Sequence, residues 1–85
     1  SLHGSNRFIY AAARGDIAEL QTMVDAGHNV NSFTWGEPSL GLEPDDSALT
    51  AAIRHNQLLA VKWLLQLPGL MILHSSGGGG RTALD

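Results

Sequence analysis

Four histidines, His3, His28, His55 and His74, are the side chains best suited to hold zinc or carry a proton, and their spacing argues against both uses. None stands at i, i+4 from another or in an H-E-x-x-H arrangement, the spacing that sets two imidazoles on one helix face around one ion. Serines and aspartates are present without a G-x-S-x-G turn to expose a nucleophile. Asp45 and Asp46 are adjacent in a polar loop, which leaves them solvated rather than tuned as an acid and a base. The glycine run before Arg81 and Thr82 has the outline of a phosphate loop, but no Lys precedes Thr82 and Ser75 stands where the leading glycine belongs. The expectation is a chain that is not an enzyme, with no catalytic residue, cofactor or metal.

The chemistry these residues favour is recognition. Residues 32–46 carry Phe33, Trp35, Leu40 and Leu42 beside Glu37, Glu43, Asp45 and Asp46, and residues 15–53 contain no Lys or Arg. An aromatic anchor among acids suits a basic or amphipathic protein partner, because the ring supplies buried area while the carboxylates steer and orient. The competing expectation is that Trp35 folds back onto its own chain and the acids are merely solvated. Unstructured loops longer than about 12 residues are usually functional or disordered.

Composition bounds what can position such a segment. Eighty-five residues allow one domain at most, and a chain near that size buries only about 60% of its unfolded surface. Hydrophobic residues make up 44% and charged ones 15%, a globular balance with less charge than the usual share of about 25%. A net charge of −3 disfavours nucleic acid and anionic membrane surfaces. The absence of cysteine removes disulfides and thiolate metal sites as sources of stability. No apolar run nears the ~18 residues of a spanning helix, and SLHGSNR lacks the order of a signal peptide, so the chain reads as soluble. With no initiator Met and a close on TALD, it reads as a piece of a longer protein.

The elements follow from an internal repeat. Phe8 and Leu49, Ala11 and Ala52, Ile17 and Leu58, Leu20 and Val61, Met23 and Leu64, and Val24 and Leu65 are each separated by 41 residues. Asn6 is expected to cap a first short helix running to about Ala13, and Ser47 to cap its copy, which ends near Arg54. Small residues, Ala11 with Ala12 and Ala51 with Ala52, allow these helices to approach closely. Gly15 and Asn56 suit left-handed turns. After Gly15, Asp16 caps a second helix with Ile17, Leu20, Met23 and Val24 on one face, ended by Gly27. Leu58, Val61, Leu64 and Leu65 repeat that stripe before Pro68 and Gly69 stop it. Met71, 41 residues after Val30, is expected to plug the core.

In these segments the chain resembles the ankyrin repeat family, whose unit reads G-x-T-P-L-H-x-A-A-x-x-G, a leucine-rich helix, then G-A-D-V-N. Residues 4–31 match as GSNRFIYAAARG, IAELQTMV and GHNVN, residues 46–65 as DSALTAAIRHN and LLAVKWLL, and residues 80–85, GRTALD, as the opening of a third unit. Thr82 follows Ser47 by 35 residues, near the family period of about 33. Arg7, Ala48 and Ala83 replace the family's Pro, and Ile9, Thr50 and Asp85 its His, which removes a polar link between turns. Thr50 replaces part of that link and Ile9 cannot. The spacing of 41 places about eight extra residues in the segment where the family has its projecting hairpin finger.

The resemblance implies an all-α solenoid of helix-turn-helix repeats with projecting loops or β-hairpin fingers: repeat 1 over about residues 4–31, the long finger at 32–46, repeat 2 at 46–72, a Gly-rich linker at 75–80 and the start of repeat 3 at 80–85. It implies an intracellular scaffold, cytoplasmic or nuclear, that binds a protein partner through finger tips and the exposed side of each first helix. Carried onto this chain, those positions are Phe33, Trp35, Leu40, Leu42, Glu43, Asp45 and Asp46 in the finger, and Ala13, Arg14, Arg54 and His55 at the ends of the first helices. Arg14 and Arg54 are placed to meet a partner's carboxylates, or simply to favour the negative ends of their own helices. The alternative role is structural: an accessory or dimerisation domain that self-associates through the apolar C-terminal end around Trp63, Leu70, Met71, Ile72 and Leu73.

Overall fold

A computed structural model describes residues 4–71, and among these residues the chain is all-α. Helix α1 spans Gly4–Arg14, α2 Ile17–Asp25, α3 Ala48–Arg54 and α4 Leu58–Leu65. Neither the linker expected at 75–80 nor the third opening at 80–85 lies within the described residues, and the same holds for His3, His74, Ile72 and Leu73.

The two helix pairs turn for the reasons their sequences supply. Gly15 has φ +74°, a conformation that favours glycine, and a Cβ there would lie 2.5 Å from Gln57 Oε1 and push that side chain aside. Asn56 takes the matching left-handed turn at φ 59°. Asp16 Oδ1 accepts from the Glu19 amide at 3.2 Å and caps α2. Ser47 caps α3 in a full capping box, in which the Ser47 amide donates to Thr50 Oγ1 at 2.8 Å. The expected cap at Asn6 is not found. Helix α1 begins at Gly4, so Asn6 sits inside its first turn and its side chain is free to accept from the Thr34 hydroxyl instead.

Helix α1 packs on both α2 and α3, and α3 on α4, so α1 and α3 form the centre of the stack. One apolar core joins Phe8, Ala11, Ala12, Leu20, Ala48, Leu49, Ala52, Ala60 and Leu64, with alanines letting the helices close up. Gln57 Nε2 donates to the Ala13 carbonyl at 3.1 Å and ties the second turn to the first. Asn31 ties the far ends together, donating to the Gly69 carbonyl at 2.9 Å and accepting from the Met71 amide at 2.8 Å.

Three apolar expectations are corrected. Leu58 and Leu65 are 67% and 47% exposed, whereas Ile17 and Val24, at the same places in the first pair, lie partly buried against the core. The second pair covers the first, and no described element lies beyond α4 to cover it in turn. Met71 is exposed, and Leu70 packs on the core in its place.

Candidate functional site

Residues 32–46 do not form a strand hairpin. A single antiparallel bridge joins Glu37 to Leu42, with Glu37 N to Leu42 O at 2.9 Å and Leu42 N to Glu37 O at 3.1 Å, around a 3-10 turn at Pro38–Leu40. Gly41 closes that turn at φ +74°, and a Cβ on it would lie 2.9 Å from the His55 ring. At the base, Thr34 N donates to Asp46 O at 3.0 Å and Asp45 N to Thr34 O at 2.8 Å.

The side chains then fasten this loop to the helices. Leu42 is 2% exposed and joins Ile9, Ala13 and Ala51 in a second apolar cluster, flanked by Tyr10 and Leu40. Ile9 is thus the apolar seat of the loop. Asp46, 6% exposed, accepts from Arg54, from the Thr50 hydroxyl at 3.0 Å and from the Glu43 amide at 2.9 Å. Arg54 also donates to the Gly41 carbonyl at 3.1 Å, and the protonated Nε2 of His55 donates to the same oxygen at 3.0 Å. A buried carboxylate with three donors is stable because its charge is both paired and hydrogen-bonded.

These contacts divide the residues expected to meet a partner. Leu42, Asp46 and Ala13 are buried and hold the loop in place, a correction whose cause is the shared apolar cluster and the Arg54 pair. Arg54 and His55, both exposed, reach the loop through the Gly41 carbonyl. Arg14 donates to Asp16 at 3.1 Å and lies over the Tyr10 ring, 5.2 Å from its centroid. Leu40 is half-buried. Within the loop Phe33, 61% exposed, Trp35, 96% exposed, and the carboxylates Glu43 and Asp45 are outward, and Arg14, Arg54 and His55 are exposed at the helix ends while engaged by the contacts just described.

Thr34 and Asn6 are the site residues that sequence reasoning missed. The Thr34 hydroxyl donates to Asn6 Oδ1 and accepts from the Gly36 amide at 3.0 Å, and Thr34 is buried between two exposed aromatics. The signal was the alternation Phe33, Thr34, Trp35, in which an extended chain sends neighbours to opposite sides. Elsewhere, an open depression of about 340 Å³ is lined by Arg7, Thr22, Met23, Ala26, Gly27 and His28. His28 lies against Phe8 at 4.7 Å between centroids, with Nε2 3.3 Å from Ser32 Oγ, and burial lowers its pKa below the ordinary 6.5.

Among the described residues no group of His, Asp and Glu is arranged to hold a metal ion, and no helix is long and apolar enough to cross a membrane. No family model, curated protein or solved structure matches this chain.

Proposed function

We propose that this chain is an ankyrin-type interaction module, without catalytic activity of its own, that holds a partner protein on the outer side of its long loop. The observation that carries the reading is Trp35, an aromatic side chain almost wholly in water on a backbone held by hydrogen bonds on both sides. A large ring on an ordered backbone costs less loop ordering when a partner covers it, so less of the gain from its burial is lost. Support for the repeat reading comes from the two helix pairs, the matched turns at Gly15 and Asn56, and the 41-residue correspondence between them.

The test is selection of a displayed peptide library on the protein, counter-screened on Trp35→Ala. Peptides retained by the native chain and released by the variant are expected, together with an unchanged melting temperature. A clear fall in melting temperature would mean that Trp35 belongs to the fold and would overturn the reading.

A second reading, a domain that packs on another copy or a larger assembly, is favoured by one observation. Ile53, Leu58, Leu59 and Leu65 of α3 and α4 are all exposed, an apolar concentration that α1 and α2 do not share.

A further inference from the structure

The geometry points to a basic segment as the partner of this loop, with a Lys or Arg side chain laid over the Trp35 ring; the inference rests on the docking role assigned above. An indole face is the strongest of the aromatic faces toward a cation, and here it is 96% exposed. The same loop carries Glu37, Glu43 and Asp45, with Glu43 and Asp45 exposed and Glu37 half-buried. Arg54 is the one cation among the described residues that reaches the loop. Its guanidinium is committed to Asp46 and the Gly41 carbonyl, and it approaches Glu43 only to 3.9 Å.

Among the described residues no ion pair is made by Glu37 or Asp45. The loop that carries Trp35 therefore keeps a net negative charge: Arg54 meets Asp46 and lies near Glu43, while Glu37 and Asp45 are left without a cation among the described residues, in a stretch, residues 15–53, that has no Lys or Arg of its own. Such a field attracts and orients a cationic segment and repels phosphate, whether of nucleic acid or of anionic lipid. The molecule already makes this contact once, where the Arg14 guanidinium lies over the Tyr10 ring. Trp35 offers the same kind of face unoccupied by any described side chain, between residues whose backbone is fixed: Thr34 N donates to Asp46 O, and Gly36 N to the Thr34 hydroxyl.

The experiment titrates the whole chain into a fluorescein-labelled peptide of alternating Leu and Lys and into its twin with Gln at every Lys, reading anisotropy. The Lys peptide is expected to bind and the Gln twin to bind at least about tenfold more weakly, a difference that shrinks in high salt. Trp35→Leu, which keeps an apolar side chain and removes the ring face, is expected to weaken the Lys peptide about tenfold. Asp45→Asn is expected to weaken it, whereas Asp25→Asn on α2 leaves it unchanged.

Equal weakening by Asp25→Asn would reduce the effect to diffuse charge and overturn the inference. Binding to vesicles of anionic phospholipid in preference to the peptide would overturn it as well. Equal binding of both peptides, lost in Trp35→Leu, would overturn the cation while leaving the loop as a docking surface. Failure of the library selection is what would remove that surface.

Discussion

Asp46 is the polar fastening of the loop to α3, beside the apolar seat of Leu42. Its carboxylate is buried and meets Arg54, Thr50 and the Glu43 amide, so removing it leaves the amide without its acceptor and reduces Arg54 to the Gly41 carbonyl and the Thr50 hydroxyl to the Ser47 carbonyl. Unsatisfied groups of this kind each cost on the order of 1–3 kcal/mol where water cannot replace the lost bond. Arg54 is partly exposed and regains some hydration, so Asp46→Ala is expected to destabilise by about 2 kcal/mol in urea unfolding and to speed chymotryptic cleavage at Trp35. An unchanged midpoint would show that the pair is ornamental. His28 acts in the opposite electrostatic sense. Its folded pKa lies below the unfolded value of 6.5 because burial opposes the charged ring, so the unfolded chain binds more protons in that window. Stability is full above about pH 6.5 and falls as the pH drops toward the folded pKa, levelling off below it. Melting curves over that range are expected to show the slope in the native chain and to lose it in His28→Gln.

At the scale of the element, the two cap expectations separate. Ser47→Ala is expected to cost about 1 kcal/mol, because the hydroxyl accepts from the Thr50 amide at the start of α3. Asn6→Ala is expected to leave the helix content by circular dichroism intact and to loosen the loop, since its partner is Thr34; a loss of helicity would restore Asn6 as a cap. The helices were legible because apolar periodicity, alanine pairs and left-handed turn residues all pointed the same way along the chain. Leu58 and Leu65 were misplaced because a stripe names the apolar face of a helix without saying whether a neighbour exists to cover it. The loop's position was legible as excess spacing, and its aromatics as exposed candidates. Its fastening was not. Ile9 with Leu42, Thr34 with Asn6, and Arg54 with Asp46 and Gly41 join residues that no period relates.

Across the four described helices of the molecule, apolar exposure is one-sided. The first pair carries no exposed large hydrophobic residue and is laced by Arg7 with Glu19, Arg14 with Asp16 and Gln21 with Asp25, while α4 presents Leu58, Leu59 and Leu65. Replacing Leu58 and Leu65 together by Gln is expected to change stability by no more than about 0.5 kcal/mol per site, since neither is well buried. If α4 mediates self-association, the same variant is expected to lower the average mass in concentrated sedimentation runs; an equally monomeric native chain would remove that role. The long connection between the pairs bears on the chain in another way. Closing a connection costs conformational entropy that grows only with the logarithm of its length, so lengthening the connection over residues 26–47 by about eight residues adds only about 0.3 kcal/mol. With Thr34 and Leu42 as fixed posts and Gly36, Leu40 and Gly41 holding the turn, the exposed positions Trp35, Pro38 and Ser39 between them can be re-lettered at little cost to the helices, and a change of specificity need not pass through a less stable ancestor.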